Sequence, residues 1–398
     1  MTEFDQILNE ITAGKEGRNH SISMGFHKLN KYIGIRKKIM TLVFGSTGSG
    51  KSSLVYDAWI LNPFDWYLAN KDTSKIKMKV VLFSFERSKI YTKAKWVSRK
   101  VFKDTGILIP IEKMLGWWDN NKLTHDEHDL IISYKDYVNE LCEFVTILEG
   151  ADNPTGPYKY MKQYAETHGR EEFINEHRKV YLPDNEYEIV VPIIDHIGLT
   201  KLERGYTSKK ESIDKLTEYA QGWRDHYGYS PVFVAQLTRD LGNVQYQKMQ
   251  EFEPSIDQVK ESGSPGEAAD TIISLFDPLR YNTKDMGGYE AAKFVNPENG
   301  SKHFRSIKIQ KNTYGTDGVR CGMAFHGPTG MFAELDHRDK ITEDIYKEVI
   351  SGDYFRAKEA PLEYSKKPFS GFSNNRTSVL DTVNNTIKQT ENNTRTSN

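Results

Sequence analysis

A chain that places Gly-x-x-x-x-Gly-Lys-[Ser/Thr] directly between a strand and a helix has few folds open to it. Residues 41–59, TLVFGSTGSGKSSLVYDAW, have that pattern. Thr41, Leu42, Val43 and Phe44 are β-branched or bulky apolar residues suited to a buried strand. Gly45, Ser46, Thr47, Gly48, Ser49, Gly50, Lys51 and Ser52 keep the spacing, and Ser53 continues into the helix. Gly45 and Gly50 let the backbone curl so that successive N–H groups point at a polyphosphate, and the helix adds the positive end of its dipole. Lys51 is placed to reach the β- and γ-phosphates and the Ser52 hydroxyl to take one Mg²⁺ position. The loop is therefore expected to hold ATP with Mg²⁺.

A P-loop also needs a carboxylate for the metal and a group that prepares the attacking water. In EIVVPIIDHIGL the apolar run Ile189–Ile194 carries Asp195 to the carboxyl end of a buried strand, where ligands bind in open α/β sheets. In KVVLFSFERS a strand from Val80 to Phe85 delivers Glu86, the candidate general base. SPVFVAQLTRD is a third apolar strand, ending in Gln236, which is placed to sense the γ-phosphate, with Arg239 after it.

Further strand patterns fall at 144–148, 270–276, 304–310 and 319–325, and helical patterns at 51–61, 88–102, 125–142 and 208–226. Strands alternating with helices predict an α/β fold with a mainly parallel central sheet covered on both faces, turning antiparallel toward the C-terminal side. Residues 1–20 form an amphipathic helix (Phe4, Ile7, Leu8, Ile11) and linker ahead of a motor domain at 21–340. That domain has a long insertion around 104–187. A helical extension is expected at 341–369 and a disordered, Asn/Thr/Ser-rich tail at 370–398, in which Val379, Leu380, Val383 and Ile387 keep a helical spacing. Thr124 and Glu127 read as a capping box.

Charges nearly cancel, 54 Lys+Arg against 55 Asp+Glu, so any nucleic-acid contact must be local. No segment is apolar and long enough to span a membrane, and neither Cys142 nor Cys321 has a partner at metal spacing. A cytoplasmic, reducing environment is expected.

Taken in order, these segments resemble the motor domain of the DnaB-type replicative helicases, a branch of the RecA-like ATPases. SISMGFHKLNKYIGI resembles that family's segment ahead of the P-loop, FSFE its Phe-Ser-hydrophobic-Glu motif, IIDHIGL its Walker B strand and AQLTR its Ser-Gln-Leu-Asn-Arg stretch. VKESGSPGEAADTIISL resembles its Arg-Glu-Ser-Gly-Ser segment, and IKIQKNTYGTDG its Lys-Asn-Arg-Asn-Gly-x-x-Gly turn. The match spans roughly 21–335. It implies a hexameric ring that moves 5′ to 3′ on single-stranded DNA, with nucleotide between subunits and a primase or helicase loader as partner. The family's amino-terminal helical domain has no counterpart here, as in a phage-type helicase that would work in the host cytoplasm.

Two loops correspond to positions facing the channel of such rings. One carries Lys201, Arg204, Lys209 and Lys210; the other ends in KESGSPG, with Lys260, Ser262, Gly263 and Ser264. Backbone and Lys contacts to phosphate carry no sequence information, which suits a translocating motor. The basic run at 87–103 reads as the wet side of a helix whose buried face carries Ile90, Ala94, Val97 and Val101.

The family's catalytic lysine is kept as Lys311, but the arginine two residues later is Thr313. Strand periodicity places Arg305, Ile307, Ile309 and Lys311 on one face, with Arg305 about 20 Å from Lys311. Arg320, across the Gly315–Gly318 turn, is then expected beside Asn312 or Lys311 as the replacement cation. A RecA-like recombinase or annealing ATPase, and a nucleotide-regulated loader without motor activity, are the competing readings.

Overall fold

The computed structural model describes residues 3–150, 152–175, 178–237, 253–259 and 263–356. Arg239, Lys260, Ser262 and the expected tail lie outside the described residues. In chain order the strands are β1 (Thr41–Gly45), β2 (Lys77–Ser84), β3 (Val145–Glu149), β4 (Gly169–Asn175), β5 (Arg178–Pro183), β6 (Glu188–Asp195), β7 (Val232–Gln236), β8 (Thr271–Phe276), β9 (Phe304–Asn312), β10 (Arg320–His326) and β11 (Met331–Glu334).

Among the described residues, nine of these form one sheet in the order β11-β10-β9-β8-β1-β7-β6-β2-β3. From β8 to β3 all neighbours are parallel; β9, β10 and β11 add on antiparallel. The parallel strands are buried on both faces, as near-continuous apolar runs such as TLVFG and EIVVPIID require. Alternate residues divide between two cores. Val43, Leu82, Ile193, Val234 and Ile273 pack under the helix after the P-loop and the helix Lys89–Thr105. Leu42, Phe83, Ile194, Phe233 and Ile272 pack under the helices Thr155–Thr167 and Lys209–Asp225. Crossovers between parallel strands place every strand's carboxyl end on one edge, and the P-loop emerges there between β7 and β8.

Several local expectations are refined. The helical pattern at 125–142 is two helices, His125–Ser133 and Lys135–Phe144, and the first has the Thr124/Glu127 capping box. The helix from Lys51 passes through a π turn at Asp57–Leu61 and continues to Asn70. The 154–187 segment folds as the helix Thr155–Thr167 and the antiparallel β4–β5 pair. In the basic helix Ile90 is exposed rather than buried, while Arg99, Lys100 and Lys103 are tied to Asp57, Asp104 and Asp65. Cys142 is exposed, with Lys93 Nζ 3.0 Å from its sulfur.

The helix Glu3–Lys15 turns its apolar stripe outward: Phe4 is 64% and Ile11 62% exposed, while Glu10 pairs with Lys38 on the other side. A helix this short is marginal alone, so a stripe left in water is unexpected in an isolated chain.

Candidate active site

The P-loop turns so sharply at its entrance that a Cβ on Gly45 would collide with the Leu275 carbonyl oxygen on β8; only glycine fits. Gly50, at φ 101°, needs the left-handed conformation that starts the helix. Lys51 lies beneath the loop, 7% exposed, and its ammonium donates to the Ser46 carbonyl at 2.8 Å. Burial depresses its pKa to about 8, and the carboxylates of Asp195 and Glu86 pull the other way. The hydroxyls of Ser46 and Ser49 are buried with no hydrogen-bond partner among the described residues. Ser53 sits one step past these, beside the Gly330 turn.

Asp195, ending β6, accepts from the Ser52 hydroxyl at 3.0 Å and from the Tyr56 hydroxyl at 2.6 Å. A hydroxyl and a carboxylate converging under a polyphosphate loop are the hard-oxygen pair that a phosphate-bound Mg²⁺ draws from a protein. These residues fit the ion. No motif in the sequence points to Tyr56, because an aromatic in a P-loop helix looks like core. Its spacing four residues from Ser52, on the same helix face, was the available signal.

β2 ends at Ser84, and Glu86 emerges exposed two residues later on the same sheet edge, near enough for its charge to act on Lys51. Gln236 ends β7 in register with Gly45, and its side-chain nitrogen lies 3.1 Å from His196 Nε2. Glu86, Lys51, Ser52, Asp195 and Gln236 thus meet at one edge.

The cations expected to complete the site from β9 and β10 are placed differently. Register passes from Ile273↔Ile309 to Ile272↔Lys311, so Gln310 is bulged and Lys311 moves to the face opposite Ile309 and Arg305. The simple alternation that joined Arg305 to Lys311 fails at that residue. Lys311 pairs at the level of Ile272, toward the start of β8 and away from its own P-loop, and its ammonium reaches the Glu267 carbonyl at 3.3 Å. Arg320 stands opposite Lys308 rather than beside Lys311 or Asn312. Its guanidinium is 2.5 Å from Glu253, which Lys308 also holds, at 3.1 Å. Arg305 is buried beneath the P-loop, donating to the Ser49 carbonyl at 2.9 Å and lying 3.4 Å from Asp277.

Of the two candidate DNA loops, the first is on the surface. Lys201 pairs with Asp152 at 2.6 Å, Lys209 donates to the Gly198 carbonyl, and Arg204 and Lys210 are exposed. In the second, Gly263 begins a short helix, Gly263–Ala268, and the Ser264 hydroxyl is bonded to Asp214 at 2.6 Å. Among the described residues no helix is long and apolar enough to cross a membrane.

No protein-family model matches the chain, and no curated protein matches it in sequence. Among solved structures, one described as an ATPase domain superposes with a TM-score of 0.58 at 16% identity, over 84% of this chain and 100% of that one. A DnaB-like replicative helicase, described with its interactions with primase, superposes with a TM-score of 0.57 at 16% identity, over 84% of this chain and 69% of that one. The chain has the RecA-like P-loop ATPase fold that these two structures share.

Proposed function

We propose that this chain is an ATP-hydrolysing motor of the DnaB helicase type, which assembles as a hexameric ring and moves 5′ to 3′ along single-stranded DNA in replication. The observation that carries the ATPase reading is the convergence of buried Lys51, the Ser52–Asp195 pair and Glu86 on one edge of a RecA-like sheet. Lys51 and the loop N–H groups bind the phosphates, while Ser52 and Asp195 hold Mg²⁺, which supplies charge neutralisation when bound. Glu86 takes the proton of the attacking water. The water oxygen bonds to the γ-phosphorus, and the bond from that phosphorus to the β-bridging oxygen breaks, leaving its electron pair on ADP.

The ring rests on the motif order and on two features of the single chain. The apolar stripe of the helix Glu3–Lys15 faces outward, and Lys311 lies toward the far end of the sheet from its own nucleotide loop. Lys311 in this reading completes the neighbouring subunit's site, and Lys201, Arg204, Lys209 and Lys210, with Lys260, Ser262, Gly263 and Ser264, are the DNA contacts. A primase or a loader is the corresponding protein partner, by analogy with the primase interactions described for the DnaB-like helicase.

The test is ATP hydrolysis with and without single-stranded DNA. The parent protein is expected to be stimulated by DNA. Glu86→Gln is expected to bind ATP normally and turn over at least ~100-fold more slowly, the scale of a lost general base. Parent-rate hydrolysis by Glu86→Gln contradicts the assignment.

A further inference from the structure

The threonine at 313 leaves the triphosphate site one positive charge short of its relatives' pattern, and neither Arg305 nor Arg320 is free to supply it. One arginine that the motifs do not contain is better placed. β8 runs beside β1 with Leu275 opposite Gly45, so the chain leaving β8 arrives next to the P-loop. There it makes a short 3₁₀ turn, Pro278–Tyr281, which presents Arg280 to solvent. Arg280 Nη1 donates to the Thr47 carbonyl at the apex of the loop, and a Cβ added to Gly48 would lie 2.9 Å from the same nitrogen. No other hydrogen bond and no carboxylate partner engage this guanidinium among the described residues, leaving Nε and Nη2 as available donors. Its charge opposes that of Lys51 across the loop, a repulsion that an incoming polyphosphate would relieve.

We propose that Arg280 is a second cation of the nucleotide site, supplied by the same chain as the P-loop, which contacts the γ-phosphate and takes over the role of the positive charge missing at Thr313. As the γ-phosphorus passes from the bridging oxygen to the water oxygen, with the proton going to Glu86 and the electron pair to ADP, Arg280 neutralises charge on the transferring phosphoryl oxygens. A planar guanidinium with spare donors suits that task better than a lone ammonium. The inference rests on the ATPase reading and commits to the γ-phosphate, which separates ATP from ADP.

Equilibrium binding of fluorescent ADP and of a fluorescent non-hydrolysable ATP analogue, both with Mg²⁺, tests it. Arg280→Ala is expected to weaken the triphosphate about tenfold more than the diphosphate, on the scale of one charge-assisted hydrogen bond, with Arg280→Lys recovering part of the difference. Equal loss for both nucleotides would make Arg280 a prop for the loop and overturn the proposal, as would no loss. Lys51→Ala controls for the parent reading: normal nucleotide binding by that variant would remove the P-loop site itself, whatever Arg280 does.

Mixing separates same-chain from neighbour-supplied cations. Arg280→Ala mixed with Glu86→Gln is expected to hydrolyse no faster than the two variants do separately, because each chain spoils its own site. Recovery of hydrolysis in that mixture would place Arg280 on the neighbour's site and overturn the same-chain assignment.

Discussion

The two edges of the central sheet are built to different degrees of completion. At the carboxyl edge of the parallel strands, groups from β1, β2, β6 and β7 meet within one chain. Asp195 is held by Ser52 and Tyr56, and the loop is braced from below by Arg305 on Ser49. Toward the opposite edge, Lys311 reaches a backbone carbonyl of the short helix Gly263–Ala268, while Lys308 and Arg320, paired at the level of Ser274 midway along the sheet, are committed to Glu253. In the proposed ring the finished edge is the one that binds nucleotide, and the unfinished one, carrying a half-exposed ammonium away from its own loop, is the one that would act on a neighbouring subunit's site.

A dispensable Lys311 would erase the difference between the two edges. Lys311→Ala is expected to lower DNA-stimulated turnover by as much as ~10³-fold, the lower range for a cation supplied in trans, with ATP affinity retained. Activity should return in part on mixing with Glu86→Gln, because the two defects then lie on opposite sides of one site. Steady-state hydrolysis of the mixture checks this, and the absence of recovery would remove the shared site.

Arg305→Ala probes the finished edge. The substitution leaves Asp277 buried without its cation and frees the Ser49 carbonyl, so a loss of about 3–5 kcal/mol in unfolding free energy is expected in urea. The smallest effect belongs to Arg320. Its ion pair with Glu253 is about one-third exposed, so Arg320→Ala should cost under about 1 kcal/mol and leave turnover within a few-fold of the parent. A collapse of hydrolysis in Arg320→Ala would return it to the role that its place across the Gly315–Gly318 turn first suggested.

What was legible in the sequence follows how local the signal is. The P-loop, Asp195 and Glu86 each follow a short apolar strand, and the parallel sheet puts all such strand ends on one edge; spacing within about ten residues was enough. The bulge at Gln310 was not legible, because one extra residue in a strand reverses the facing of everything after it without altering composition. Arg280 was missed for the converse reason. It lies in an irregular turn more than two hundred residues from the loop it touches, and only the β1–β8 pairing brings the two together. The helix Thr155–Thr167 and the β4–β5 hairpin were obscured by Tyr and charged residues at positions where an apolar period would have shown.

Strand displacement on forked DNA separates a helicase from the competing ATPases. Forks with a 5′ or a 3′ single-stranded tail, incubated with ATP and Mg²⁺, are expected to be unwound from the 5′-tailed strand, with no product when Glu86→Gln replaces the parent. Stable binding to single-stranded DNA with ATP hydrolysis but no strand separation on either fork would contradict the helicase account and favour a recombinase or annealing ATPase. Nucleotide binding with neither hydrolysis nor unwinding would leave a loader.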